Sequence, residues 1–308
     1  MALPADVLEL AARVRNWGRW GDDDELGTLN LLTDDVVCAA AAEIRTGRRV
    51  PRALPFDEDG PQTGRIVGRE NPVRRMLRVN APSTGELGEY CSSDDAVTMG
   101  LQAGTHWDAL AHVSYDGRMY NGIPASVVDE RGAHRLGIGN VRSLVGRGVL
   151  LDVARAHGVD RLPGGYAITA GDLDAAAELG RVVVRPGDIV LVRTGQMQLF
   201  HAGDRDAYGQ PSPGLSLPTV EWFRRHDVAA VAADNISLEV WPCERPDALL
   251  PVHLLHLVDM GMTQGQNFDL EALADVCAEM GRASFFLDAS PLGFTRAVGA
   301  PVQPVAVL

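Results

Sequence analysis

The spacing of apolar residues along the chain changes from helical to alternating and back. Ala5–Val14 carries apolar residues at helical spacing, which predicts a short amphipathic helix. Thr33 followed by Asp34 and Asp35 reads as an N-cap with an acidic first turn, so a second helix is expected to run to Ile44 and to stop at Gly47. Arg48–Val50 then starts a strand. Residues 55–68 are dominated by Gly, Pro, Asp and Gln and predict an irregular surface loop able to fold over a site. Val73–Val79 alternates apolar and charged residues like a half-exposed strand, and Ala81–Tyr90 reads as a turn-rich connection.

Further on, Arg147–Val153, Ile189–Gly195 and Val228–Ala232 are short apolar runs of the kind that form buried strands. Helices are expected between and after them at Ile168–Leu179, Leu217–His226, Pro251–Gly261 and Asp269–Met280. Ala283–Leu287 and Val305–Leu308 read as closing strands. Strands alternating with helices, beside antiparallel hairpins, imply an α/β fold with a mixed sheet. With 308 residues, 46 % of them hydrophobic, the expected organisation is one domain at 47–308 with an N-terminal helical extension at 1–46.

Charge and composition narrow the function. A formal charge of -13 repels nucleic acid and anionic membrane surfaces. The chain has no lysine, so Schiff-base catalysis, pyridoxal phosphate anchoring and the P-loop are excluded. Cys38, Cys91, Cys243 and Cys277 are far apart and read as reduced residues. Neither a signal peptide nor a membrane span is recognisable, which leads to the expectation of a cytoplasmic enzyme with a small-molecule substrate.

The chemistry concentrates in Asp94–His112. Read as an extended segment, it places Gln102, Gly104, His106 and Asp108 on one face, with Trp107 opposite, packed to hold the strand rigid. Imidazole nitrogen and carboxylate oxygen both bind zinc or manganese, and His112 is placed to accept a proton. Tyr115, Tyr120 and Trp107 are candidates to stack on a planar substrate. Asp234 and Glu239 emerge at a strand end and are candidates to support the site, although Glu239 reads more simply as a solvated loop carboxylate. His256, on an apolar helix face, reads as core.

The run Gly104-Thr105-His106-Trp107-Asp108-Ala109-Leu110-Ala111-His112, followed by Tyr120-Asn121-Gly122, resembles the cyclase family of metal-dependent hydrolases, which includes bacterial kynurenine formamidase and isatin hydrolase. The stretch from Trp20 through an acidic run to Gly27-Thr28-Leu29-Asn30 resembles the longer members of that family. The resemblance implies a cyclase-like α/β/β (swivelling β/β/α) fold. It also implies metal ligation by His106 and Asp108, approach of His253 to the metal, and proton transfer by His112. Two departures stand out. Gln102 occupies the place of the family's first ligand histidine, and Gln266 that of a glutamate. Neutral amides offset a dication poorly, so one divalent ion (Zn or Mn) or none is expected and a two-metal centre is poorly supported, with Gln102 and Gln266 as alternative substrate contacts.

The expected activity is hydrolysis of a small amide, lactam or formamide by metal-activated water, as in arylformamidases, in a dimer or tetramer. The alternatives are a metal-free acid/base cyclase, dehydratase or isomerase of secondary metabolism, and a non-catalytic small-molecule binder.

Overall fold

A computed structural model describes residues 3–51, 53–85, 88 and 90–308. Its centre is a nine-stranded mixed sheet, a result of the three apolar runs pairing side by side. Val145–Asp152, Ile189–Arg193, Ala230–Ala233 and Gln264–Gln266 form a parallel block in that order. On one side antiparallel strands Ser284–Asp288, Val305–Val307 and Arg49–Pro51 extend it. On the other, Gln264–Gln266 pairs antiparallel with His106–Asp108, which pairs antiparallel with Gly299–Pro301 at the edge.

The parallel strands are apolar throughout because both of their faces are covered. Val149, Leu151, Val190, Val192, Val231 and Ala233 point into one core with Val7, Leu10, Phe223 and Leu255 from the helices Ala5–Val14, Thr219–Arg225 and Pro251–Met260. The alternate residues Leu150, Ile189, Leu191, Ala230 and Ala232 point into the other, against Leu273 and Cys277 of the helix Glu271–Met280 and against Trp107. The sequence expectations for these elements hold, including Thr33, whose hydroxyl accepts from the Val36 amide at 3.3 Å. The helix it caps ends earlier than expected, at Ala41.

Two expectations fail around the motif. Val73–Pro82 does not present one buried face: it pairs antiparallel with Cys91–Thr98 in a separate two-stranded hairpin, and nearly all of its residues are exposed. The connection expected at 81–90 falls partly on residues 86, 87 and 89, outside the described residues, and its first two residues belong to the strand. The motif is also not one extended segment. Asp94–Thr98 belongs to the hairpin, residues 99–105 are irregular, and strand resumes only at His106–Asp108, so Gln102 does not share a strand face with His106.

Candidate active site

His106 and Asp108 point to the same side of their three-residue strand, and both are buried. The Nδ1 of His106 lies 2.8 Å from the Gly104 carbonyl. A carbonyl only accepts, so Nδ1 carries a proton, and the ring turns Nε2 toward Asp108 Oδ1 at 3.5 Å. Asn267 Nδ2 donates to the same carbonyl at 3.0 Å, and Tyr208 donates its hydroxyl to Asn267 Oδ1 at 2.7 Å. A chain of buried hydrogen bonds thus fixes the His106 ring. Gly104 serves packing as well: a Cβ there would stand 2.9 Å from the Phe56 ring, so its lack of a side chain admits Phe56.

Asp108 receives Gln266 Nε2 on Oδ2 at 2.9 Å. Its other oxygen, Oδ1, is buried without a hydrogen-bond partner and stands 3.5 Å from His106 Nε2 and 3.7 Å from His112 Nε2. Burial works against its charge, but the fields of His112, His106 and His253 hold its carboxyl far below the usual range. His112 moves the opposite way from what its carboxylate neighbour favours. Asp108 pulls its pKa up, and burial together with His253, His106 and Arg69 brings it below the ordinary imidazole value. At neutral pH His112 is therefore uncharged, and its Nδ1 is buried with no partner.

His253 comes from the helix that starts at Pro251. Its Nδ1 donates to Glu239 Oε1 at 2.5 Å, and the same carboxylate accepts the backbone amides of His253 at 3.0 Å and of Val252 at 3.2 Å. Glu239 thus holds both the first turn of the helix and the imidazole. Burial lowers the His253 pKa, yet the hydrogen bond and charge of Glu239 outweigh it and the pKa is raised. Glu239 is 2 % exposed, which overturns its reading as a solvated loop carboxylate: the chain folds Pro251–Leu254 onto it. A carboxylate a dozen residues ahead of Pro-Val-His is the only sequence signal for this role. Asp234 is also buried, but accepts from the Thr194 and Gly195 amides and holds the end of the neighbouring strand instead.

His106, Asp108, His112, His253 and Gln266 all line one cavity of about 340 Å³, closed on its other sides by Gln62, Arg69, Ile236 and Trp241. Gln266 Oε1 is a buried acceptor there with no partner. The loop 55–68 does fold over this cavity through Gln62 to Ile66. The expected aromatic contacts do not. Trp107 is 0 % exposed, packs edge-on against Phe268 at 5.1 Å and donates its indole N–H to the Ala289 carbonyl at 2.8 Å. Tyr120 is buried with its hydroxyl on Asp24, and Tyr115 donates to Asp259. Period two puts Trp107 on the core side of the sheet, so Trp241, distant in sequence, is the aromatic wall. Gln102 lies outside the cavity lining, with its amide against Gly299.

The described donors do not form a clear metal centre. A catalytic zinc site takes three protein ligands. His106 Nε2 and His112 Nε2 stand 3.5 and 3.7 Å from Asp108 Oδ1, yet among the described residues no group of three His, Cys, Asp or Glu converges as an ion requires. His253, the expected third donor, has its Nδ1 on Glu239, which leaves Nε2 as its free ring nitrogen, and the amides Gln102 and Gln266 stand where charged or imidazole donors were expected. The unpartnered Asp108 Oδ1 and Gln266 Oε1 are acceptors suited to a water or a substrate N–H.

No described helix is long and apolar enough to cross a membrane. No curated protein sequence matches the chain. Among solved structures, one described as a novel cyclase superimposes with a TM-score of 0.87 at 39 % identity, covering 96 % of this chain and 99 % of that one. Isatin hydrolase A from Labrenzia aggregata, bound to benzyl benzoate, shares the fold at a TM-score of 0.61 and 18 % identity, covering 90 % and 98 %. A protein from Bacillus stearothermophilus described as a predicted metal-dependent hydrolase aligns at 0.51 and 17 % identity, covering 84 % and 97 %. The Cyclase family model matches residues 32–240, a span that holds the His106, Asp108 and His112 motif, and the chain belongs to the cyclase family.

Proposed function

We propose that this protein hydrolyses a small amide, lactam or ester by metal-free acid/base catalysis between His112 and His253. The observation that carries this reading is the contrast between two imidazoles in one cavity. His253 is bound to a buried carboxylate that favours its protonated form, whereas His112 is held neutral. Environments that push two titratable groups apart assign the acid and the base.

In this scheme a water held by Asp108 Oδ1 and His112 Nε2 attacks the substrate carbonyl carbon while His112 takes its proton. Asp108, ionised and 3.7 Å away, stabilises the imidazolium that forms. His253 gives its proton to the leaving nitrogen or oxygen as the bond to the carbonyl carbon breaks. Gln266 Oε1 accepts a substrate N–H. Proton exchange with solvent then returns both histidines to their starting states. The family's description as a cyclase favours a second use of the same pair, ring closure with loss of water, which is the reverse sequence of proton transfers.

The test is turnover of a panel of lactams, cyclic imides, aryl formamides and aryl esters by the wild type, His112→Ala and His253→Ala. Hydrolysis by the wild type that both variants lose supports the assignment. Absence of any turnover, or wild-type rates in either variant, rejects it.

A further inference from the structure

The cavity contains a cation that no described residue pairs. Arg69 lines the wall near His112 and His253, whose pKa values its field depresses. Among the described residues its guanidinium makes no hydrogen bond or ion pair, whereas Arg65 of the same loop is tied to Asp206 at 3.1 Å. Asp108 exerts a favourable field on Arg69 but stands beyond ion-pair reach, with Oδ2 engaged by Gln266 and Oδ1 facing imidazoles. Taking a guanidinium partly out of water without a partner is costly, and the depressed pKa of Arg69 reflects that burial.

The backbone holds this arrangement in place. The Arg69 amide donates to the Ile66 carbonyl at 3.1 Å, and the Gly100 amide donates to the Glu70 carbonyl at 3.1 Å, which locks the loop against the root of the hairpin. A Cβ at Gly100 would stand 3.2 Å from Arg69 Cγ, so the glycine leaves room for the arginine stem on its way into the cavity.

We infer that Arg69 docks a carboxylate of the substrate, so that the protein acts on small carboxylate-bearing amides or esters. This inference rests on the hydrolytic reading of the same cavity. A guanidinium presents a planar fork of donors that matches a carboxylate through two parallel hydrogen bonds. The chain as a whole, at -13, repels anions, so a carboxylate substrate needs a local cation to enter. Ile66, Val113, Ile236, Leu250 and Trp241 line the same space and suit an apolar body attached to that carboxylate. An anion at Arg69 would leave the remainder of the molecule beside His112 and His253, where its carbonyl would be attacked.

Binding of benzoate and of its neutral isostere benzamide, measured by titration calorimetry, tests this without requiring turnover. The wild type should bind benzoate roughly tenfold or more tighter than benzamide. Arg69→Gln should weaken benzoate by roughly 10- to 100-fold and leave benzamide unchanged, the usual worth of a charged hydrogen-bonded contact. Arg69→Lys, which keeps the charge but not the fork, should fall between the two. Equal binding of the two probes by the wild type overturns the inference even if the variants fail to fold, and so does undiminished benzoate binding in Arg69→Gln. His112→Ala should retain the benzoate preference. If the whole hydrolysis panel is inert while that preference persists, the hydrolytic reading fails and the carboxylate site stands.

Discussion

Glu239 Oε1 accepts the Nδ1 proton of His253 at 2.5 Å, and the same carboxylate accepts the amides that open the helix carrying that histidine. One buried charge therefore sets both the position and the protonation of the proposed acid. Replacing it by an isosteric amide separates the two effects. In Glu239→Gln the backbone contacts can persist, but the charge that raises the His253 pKa is gone. If protonated His253 is the acid, activity is lost as pH rises through its pKa. The variant's alkaline limb should then move to lower pH, with turnover at neutral pH down roughly 10- to 100-fold. A pH–rate profile of both proteins checks this, and an unmoved alkaline limb would detach Glu239 from the mechanism.

His112→Ala should fold normally, because the side chain faces the cavity and its Nδ1 bonds to nothing. Turnover should drop by roughly two to four orders of magnitude, the usual worth of a general base. Thermal melting and steady-state kinetics on the same preparation read both quantities.

Dialysis against EDTA should leave turnover and melting temperature unchanged, since among the described residues no three His, Cys, Asp or Glu side chains converge as an ion requires. Activity that disappears on dialysis and returns with zinc or manganese would reinstate His106 and Asp108 as ligands.

Trp107→Ala should destabilise the fold by about 3–5 kcal/mol, as for any large side chain deleted from a packed core. Urea unfolding measures it. If Trp107 instead contacted substrate, the loss would appear in KM at nearly unchanged stability.

His256 gives a stability change at acid pH. Burial holds its pKa down to about 3, against 6.5 for the free side chain, with Phe223 edge-on at 5.4 Å. The folded state therefore binds fewer protons than the unfolded one between those values. The contribution of His256 to stability is complete above pH 6.5 and is lost as pH falls from 6.5 toward 3. His256→Gln should flatten the acid limb of the unfolding free energy by up to one proton, about 1.4 kcal/mol per pH unit. Parallel slopes for the two proteins would show that His256 titrates normally.

Local pattern determined a large part of this molecule. The three apolar runs became the parallel strands because continuous hydrophobicity over five to eight residues can only be buried on both faces. Thr169 and Asp172 close their helix by a capping box that needs nothing beyond four residues of chain. His106, Asp108 and His112 announced a site because they are near one another in sequence, and they do line one cavity. What tertiary structure decided lies where the partners are far apart along the chain. Glu239 and His253 are fourteen residues apart with a loop between them, so no period links them, and only the fold of Pro251–Leu254 onto the carboxylate makes it buried. Gln102 left the expected strand face because the strand begins only at His106, where Gln266 and Pro301 supply ladders from either side. Trp107 joined the core rather than the cavity because the cover on each face of the sheet comes from residues up to 182 positions away, such as Ala289. Arg69 had no signal at all: an arginine in a polar loop looks solvated until the loop is laid over a cavity and no described neighbour pairs with it.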